Sequence, residues 1–168
     1  MAGFHTKTFA VYDDYATPAS AWEAVAQYVP KGVTIWEPFY LDGSSGNTWE
    51  RLGWDVIHDG TDFYTHTEAP GDVIVSNPPY SDKARVFERL KQLDKPFMML
   101  CPSSMLCTQY IRRTFGDDPD PLQVIIPRKR IQFLKSVGGE MITPGACNFD
   151  CFYYCWRLNL PRDIVWLA

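Results

Sequence analysis

Asp72-Val73-Ile74-Val75-Ser76-Asn77-Pro78-Pro79-Tyr80-Ser81-Asp82 is the stretch on which the reading of this chain turns. Val73, Ile74 and Val75 are β-branched and apolar at consecutive positions, the pattern of a strand buried on both faces. Two prolines then hold φ near −65° and remove two backbone donors, so the strand is expected over Asp72 to Ser76, with Asn77 just beyond its end. Ser81-Asp82 caps a predicted helix to about Leu93, with Ala84, Val86, Phe87, Leu90 and Leu93 apolar and Lys83, Arg85, Glu88 and Lys91 mostly outward. A doubly covered strand, a rigid turn and an amphipathic helix make up half of a parallel βαβ unit.

The same alternation runs outward in both directions. Thr17-Pro18 starts a predicted helix over Ala19 to Tyr28, and Gly32 breaks the chain before a strand at Val33 to Trp36. A short helix is expected around Thr48 to Leu52, and strands at Trp54 to His58, Pro96 to Cys101 and Leu122 to Ile126. Met105 to Phe115 reads as another helix, and Cys147 to Leu158 as the closing strand. Strands separated by helices imply right-handed βαβ units. The expected fold is α/β, a doubly wound Rossmann-like sheet with helices on both faces, forming a single domain over residues 1–168.

Composition narrows the function classes. With 46% hydrophobic and 15% aromatic residues, the 168-residue chain lies far from disordered compositions. Sixteen Lys+Arg against 20 Asp+Glu give a net charge of −4, which excludes a whole-surface polycation and leaves room for a local basic patch. No run approaches the ~18 apolar residues of a membrane span, and Met1 to Lys7 lacks a secretory apolar segment, so an intracellular protein is expected, cytoplasmic or within a host cell if viral. Cys147, Cys151 and Cys155 recur every four residues, but aromatic residues interleave them, so they read as a core strand and no metal is expected. His5, His58 and His66 have no ligand spacing and read as surface or capping residues.

Open α/β sheets bind ligands beyond the carboxyl ends of their strands. Those ends carry Glu37-Pro38-Phe39, Asp59 and Ser76-Asn77-Pro78-Pro79-Tyr80. The Asn77 side chain and the Pro78 carbonyl are two rigid acceptors, and Tyr80 is a flat ring three residues on. Together they suit a planar substrate bearing an –NH₂ group; the alternative is an ordinary strand-to-helix turn. Pro127 to Lys135 holds four cations in nine residues, including Arg128, Lys129 and Arg130. That density would neutralise phosphates, the alternative being a solvated loop. No G-x-G-x-x-G follows a strand, which disfavours a nicotinamide dehydrogenase.

Asn77-Pro78-Pro79-Tyr80, with the acid-terminated strands before it, resembles the Rossmann-like S-adenosylmethionine-dependent N6-adenine DNA methyltransferases and their (D/N)-P-P-(Y/F) motif. The resemblance spans about Tyr15 to Phe133 and is closest to the compact enzymes of phages and large DNA viruses. It implies S-adenosyl-L-methionine as cofactor, with Asn77 and Pro78 holding the target amine and Tyr80 stacking on a flipped-out adenine. Glu37 and Phe39 would end the first cofactor strand, and Asp42-Gly43-Ser44-Ser45-Gly46 would form the loop beneath the methionine part. Phe39-Tyr40-Leu41 replaces the small residues usual there, and the Gly-x-Gly run is absent. By the same resemblance Asp59 would bind ribose, Asp62 the cofactor's adenine amine, and Phe63 its ring. Thr17 would touch the cofactor carboxylate, although helix capping explains it equally. Arg128, Lys129 and Arg130 match a basic stretch that the viral enzymes carry after the corresponding strand. DNA is the expected substrate, with RNA adenine, protein glutamine or a catalytically silent binding subunit as alternatives. No separate target-recognition domain fits in 168 residues, so short loops after Ile126, a partner or a dimer would supply recognition.

Overall fold

The computed structural model describes residues 15–137, 140–142, 147 and 149–168; His5 lies outside them. Nine strands are described: β1 (Thr34–Trp36), β2 (Asp55–Ile57), β3 (Val73–Ser76), β4 (Phe97–Pro102), β5 (Leu122–Ile126), β6 (Lys135–Val137), β7 (Glu140–Ile142), β8 (Cys151–Trp156) and β9 (Ile164–Trp166). Four α-helices accompany them, α1 (Ala19–Glu23), α2 (Ser44–Arg51), α3 (Lys83–Leu93) and α4 (Gln109–Phe115). Seven strands form one sheet in the order β2-β1-β3-β4-β8-β5-β9, and β6 pairs with β7 as a separate antiparallel hairpin.

Side-chain alternation explains why helices cover both faces. Ile35, Val73, Val75, Met98 and Leu100 point to one face, where they pack with Trp22 of α1 and Trp49 of α2. Trp36, Ile74, Phe97, Met99 and Cys101 point to the other, against Val86, Phe87 and Leu90 of α3 and Ile111 and Phe115 of α4. Consecutive strand residues therefore enter different cores, as a doubly wound sheet requires.

β8 departs from the expected all-parallel order. It runs antiparallel between β4 and β5, paired with β4 from Phe97↔Trp156 to Pro102↔Cys151 and with β5 from Leu122↔Trp156 to Ile125↔Tyr153. Its alternation suits an interior position, with Cys151, Tyr153 and Cys155 in one core and Tyr154 and Trp156 in the other. Local pattern reveals that a strand is buried on both faces but says nothing of its direction. β9, absent from the sequence reading, extends the sheet by pairing parallel to β5.

Three helix boundaries also differ, and the helix expected over Met105 to Phe115 is split into a 3₁₀ turn over Ser103–Cys107 and α4 from Gln109. The first helix ends at Glu23 and continues as a 3₁₀ turn over Ala26–Tyr28, which keeps both Val25 and Val29 in the core. The second begins at Ser44, so Ser44, Ser45 and Gly46 lie in its first turn rather than in an open loop. Gly43 turns the chain into it at φ 79°, and the Asp42 carboxylate accepts from the Ser44 amide at 3.0 Å and hydroxyl at 2.6 Å. Gly46 has to be glycine, because a Cβ there would lie 2.2 Å from His58 Nδ1.

Tyr153 ties β8 to α1 by donating its hydroxyl to the Ala21 carbonyl at 2.5 Å in a buried setting. Tyr153→Phe strands that carbonyl and is expected to lower Tm by roughly 2–8 °C, measured by near-ultraviolet circular dichroism melting.

Candidate active site

The site is built on the carboxyl ends of β1 and β3, which lie side by side and parallel. The residue after β1, Glu37, continues the ladder through its amide to Ile57 O at 2.9 Å and turns its carboxyl inward, where it is 1% exposed. Glu37 Oε1 accepts from the Phe39 amide at 3.0 Å and from the hydroxyl of Ser76, the last residue of β3. Burial pushes the Glu37 pKa up to about 8 against the opposing pull of those two hydrogen bonds, so near neutral pH the group is mostly an uncharged acid.

Beside it opens a cavity of about 230 Å³, lined among others by Thr17, Glu37, Phe39, Asp42, Ser44 and Asn77. Tyr15 and Ala16 wall the same space, held there by a two-hydrogen-bond bridge between Ala16 and Leu134 at 2.8 and 2.9 Å. Two buried polar atoms on this lining, Thr17 Oγ1 and Asn77 Oδ1, have no hydrogen-bond partner. Buried polar atoms are nearly always paired, so two orphans on residues that line one cavity mark it as a candidate ligand site. Thr17 does not cap α1; Pro18 occupies the cap position and no side chain closes it.

The structure thus brings Thr17, Glu37, Phe39 and Asn77 together, with Pro79 also on the lining. Pro78 is buried behind Asn77. Tyr80 is half-buried, with its ring edge-on to Phe133 at 6.3 Å and Phe149 at 5.8 Å and its hydroxyl 3.7 Å from Cys151 Sγ. Burial holds that phenol well above its ordinary pKa. Phe133 and Phe149 stack on each other at 6.0 Å and complete an aromatic group beside Asn77-Pro78-Pro79 that sequence reading missed. The apolar Phe133, set in a basic segment, was the available signal.

Other expected residues lie apart from the cavity. Asp59 is exposed, and hydrogen bonding from the Thr61 side chain, then from its amide at 3.0 Å, holds its carboxyl below its ordinary pKa. Asp62 is exposed and caps the short turn after it through the Tyr64 amide at 2.9 Å. Phe63 is 2% exposed, packed between Phe39 at 4.9 Å and Trp36 at 5.7 Å. Gly43 underlies the Tyr40 ring, and Leu41 between them takes φ 48°, a left-handed conformation costly for a residue with a side chain. His58 and His66 are half-buried rather than surface residues: His58 pairs with Glu50 at 3.1 Å and lies against Tyr40, and His66 packs on Trp36 at 4.8 Å.

The basic segment divides by role. Arg130 grips Asp150 through two bonds of 2.9 Å and the Cys147 carbonyl at 3.0 Å, which fastens the loop after β5 to the chain before β8. That ion pair holds the Asp150 carboxyl below its ordinary pKa. Arg128 and Lys129 are exposed, with no ion pair among the described residues.

No protein-family model and no curated protein matches the sequence. Solved structures do share its fold. A proposed RNA methyltransferase from Pyrococcus horikoshii superposes with a TM-score of 0.52 at 12% identity, over 84% of this chain and 85% of that one. A proposed class I S-adenosylmethionine-dependent methyltransferase from Listeria monocytogenes superposes with a TM-score of 0.59 at 13% identity, over 95% of this chain and 67% of that one. The chain therefore has a Rossmann-like α/β fold shared with class I methyltransferases. None of its described helices is long and apolar enough to cross a membrane.

The buried carboxyl of Glu37 makes a pH prediction. Its folded pKa of about 8 exceeds the unfolded 4.5, so the native state holds the proton longer and stability falls as pH rises between those values. Glu37→Gln keeps an acceptor without a titrating proton. Its Tm minus that of the unmodified chain is expected to grow by roughly 5 °C or more from pH 5 to pH 8, measured by differential scanning calorimetry.

Proposed function

We propose that this chain is an S-adenosylmethionine-dependent methyltransferase acting on the exocyclic N6 amine of adenine in DNA. The observation that carries the reading is Asn77 Oδ1, a buried acceptor without a partner, on a residue that lines one cavity with Glu37 and Thr17. An amine hydrogen is what such an oxygen lacks.

The cavity residues fit the cofactor's amino-acid half. The Glu37 carboxyl is an acceptor for an ammonium, and the Thr17 hydroxyl, which has no partner, is a donor for a carboxylate. At about 230 Å³ the cavity is smaller than the roughly 300 Å³ at which ligand clefts begin, in keeping with a half-molecule fit. Asp59, Asp62 and Phe63 remain candidates for the adenosine half on resemblance, not on lining.

When bound, S-adenosylmethionine supplies an electrophilic methyl group on a sulfonium. The chain's own work is placement. Asn77 Oδ1 and the Pro78 carbonyl accept the two amine hydrogens, which turns the nitrogen lone pair toward the methyl and favours the positive charge that grows on nitrogen. Pro78 and Pro79 keep those acceptors from rotating away. Tyr80, half-buried and backed by Phe133 and Phe149, offers an aromatic face for the base. The phenol's raised pKa keeps Tyr80 neutral, so it does not serve as the base. The proton leaves to solvent after transfer.

RNA adenine is the second reading, favoured by the Pyrococcus neighbour being described as an RNA methyltransferase. Arg128 and Lys129 support either polyanion over a protein substrate. An adenine methyltransferase of the phage or large-virus kind would work inside the host cell.

Labelled cofactor offered with DNA, RNA and protein in parallel is expected to yield N6-methyladenine in the DNA arm by nucleoside mass spectrometry. Asn77→Ala should lower transfer by roughly 10²-fold or more while S-adenosylhomocysteine affinity by calorimetry stays within about tenfold. Wild-type transfer by Asn77→Ala would refute the catalytic assignment.

A further inference from the structure

One tryptophan does not behave like the other five. Trp22, Trp36, Trp49, Trp54 and Trp156 are all buried, whereas Trp166 on the edge strand β9 is 73% exposed. It lies opposite Ile126 in the β5–β9 register, beside a groove of about 300 Å³ lined by Arg128, Lys129, Arg130, Ser103, Phe152 and Trp166 itself. Among the described residues the charged groups of the groove are three cations against the single carboxylate of Asp150, which Arg130 already neutralises. An exposed ring beside two cations without ion pairs is the pattern of a stacking platform with phosphate contacts.

Topology connects this groove to the candidate active site. β3 is parallel to β4, β8 opposes both β4 and β5, and β9 is parallel to β5. Asn77, Ser103, Pro127 and Trp166 therefore stand along one edge of the sheet. The groove also includes Cys151, the residue that the Tyr80 hydroxyl touches. From β3 to β9 there are four strand intervals, about 19 Å at ~4.8 Å each, or about five or six stacked nucleotides at ~3.4 Å.

The geometry points to Trp166 as the stacking residue of a strand-binding subsite, with Arg128 and Lys129 on the adjoining phosphates, that holds an unpaired stretch of the nucleic acid five or six nucleotides from the reacting adenine. This inference rests on the nucleic-acid reading proposed above and adds a recognition element to it. The ligand is an unpaired strand rather than a duplex, because an indole can stack only on a base whose face is free. It is not an apolar protein surface, because the two cations flank the ring.

The test is read as binding, with the full chain and no cofactor. Labelled oligonucleotides of about 20 residues, as single-stranded DNA, single-stranded RNA and duplex DNA, are titrated by fluorescence anisotropy. Trp166→Ala is expected to weaken unpaired strands by roughly 5- to 100-fold, with Trp166→Phe recovering most of the loss. Its exposure means that the fold does not depend on it. Unlabelled strand should quench the exposed indole in the unmodified chain and leave the emission of Trp166→Phe unchanged. Arg128→Ala/Lys129→Ala should reduce the slope of log Kd against log salt by about 1.5, and Trp166→Ala should leave that slope intact. The DNA and RNA arms show which strand is held more tightly.

Unchanged affinity of Trp166→Ala within about twofold on unpaired strands, or a loss confined to the duplex, overturns the assignment. So does a shift from dimer to monomer in sedimentation with strand affinity unaltered, which would give this face to a second copy of the chain. Binding and quenching without any methyl transfer would leave the subsite standing and overturn the enzymatic reading. Asn77-dependent transfer with no Trp166 effect would do the reverse.

Discussion

The Glu37 carboxyl lies at the junction of β1 and β3, and through Ser76 and the Phe39 amide it makes two strand ends into one mouth. A carboxyl with 1% exposure is expensive to leave charged, and the structure answers by raising its pKa and giving one oxygen two donors. Ser76 immediately precedes Asn77, so a shift of this hydrogen bond shifts the orphan oxygen of Asn77 with it. The prolines that follow then remove the remaining freedom of the turn. An amine acceptor held this way has little left to reorganise when a substrate arrives.

β8 supports the mouth from below. Its insertion between β4 and β5 places Cys151 against the Tyr80 hydroxyl and lets Tyr153, in the same core as Cys151, hold α1. The same strand carries Trp156 onto Phe97 at 5.9 Å, near the opposite end of the sheet. The chain before β8 is fastened to the loop after β5 by the Arg130–Asp150 pair, in which Arg130 acts as a clasp. Arg128 and Lys129 are thereby the cations left facing outward, in the groove where β9 displays Trp166. The acidic net charge of the chain is compatible with this arrangement because Arg128 and Lys129 form a local basic patch.

What could be read locally was read well. Val73–Ser76, the helix to Leu93 and the strand at Leu122–Ile126 follow from the nature of consecutive side chains, and the structure has them where the pattern puts them. Glu37, Phe39 and Asn77 could be named because ligands gather at strand ends, and Thr17 by family resemblance; the four line one cavity. Long-range relations were not legible. Asp150 lies 20 positions from Arg130, and Phe149 16 positions from Phe133, so neither partnership leaves a mark in any local window. The start of α2 was misplaced because Ser44-Ser45-Gly46 has loop composition, while Gly43 and the Asp42 carboxylate turn it into a helix end.

By itself the sequence determined six of the seven strands of the main sheet, the helix over Lys83–Leu93, which faces are apolar, and which polar groups stand at strand ends, since those properties belong to residues within a few positions of one another. Tertiary structure alone decided that β8 runs backwards through the sheet's interior, that Arg130 is neutralised while Arg128 and Lys129 are not, and that Asn77 Oδ1 is buried without a partner. Each depends on what another part of the chain brings into contact. Strand order and the pairing of charges are settled by the packing of whole faces, which local pattern constrains in kind but not in place.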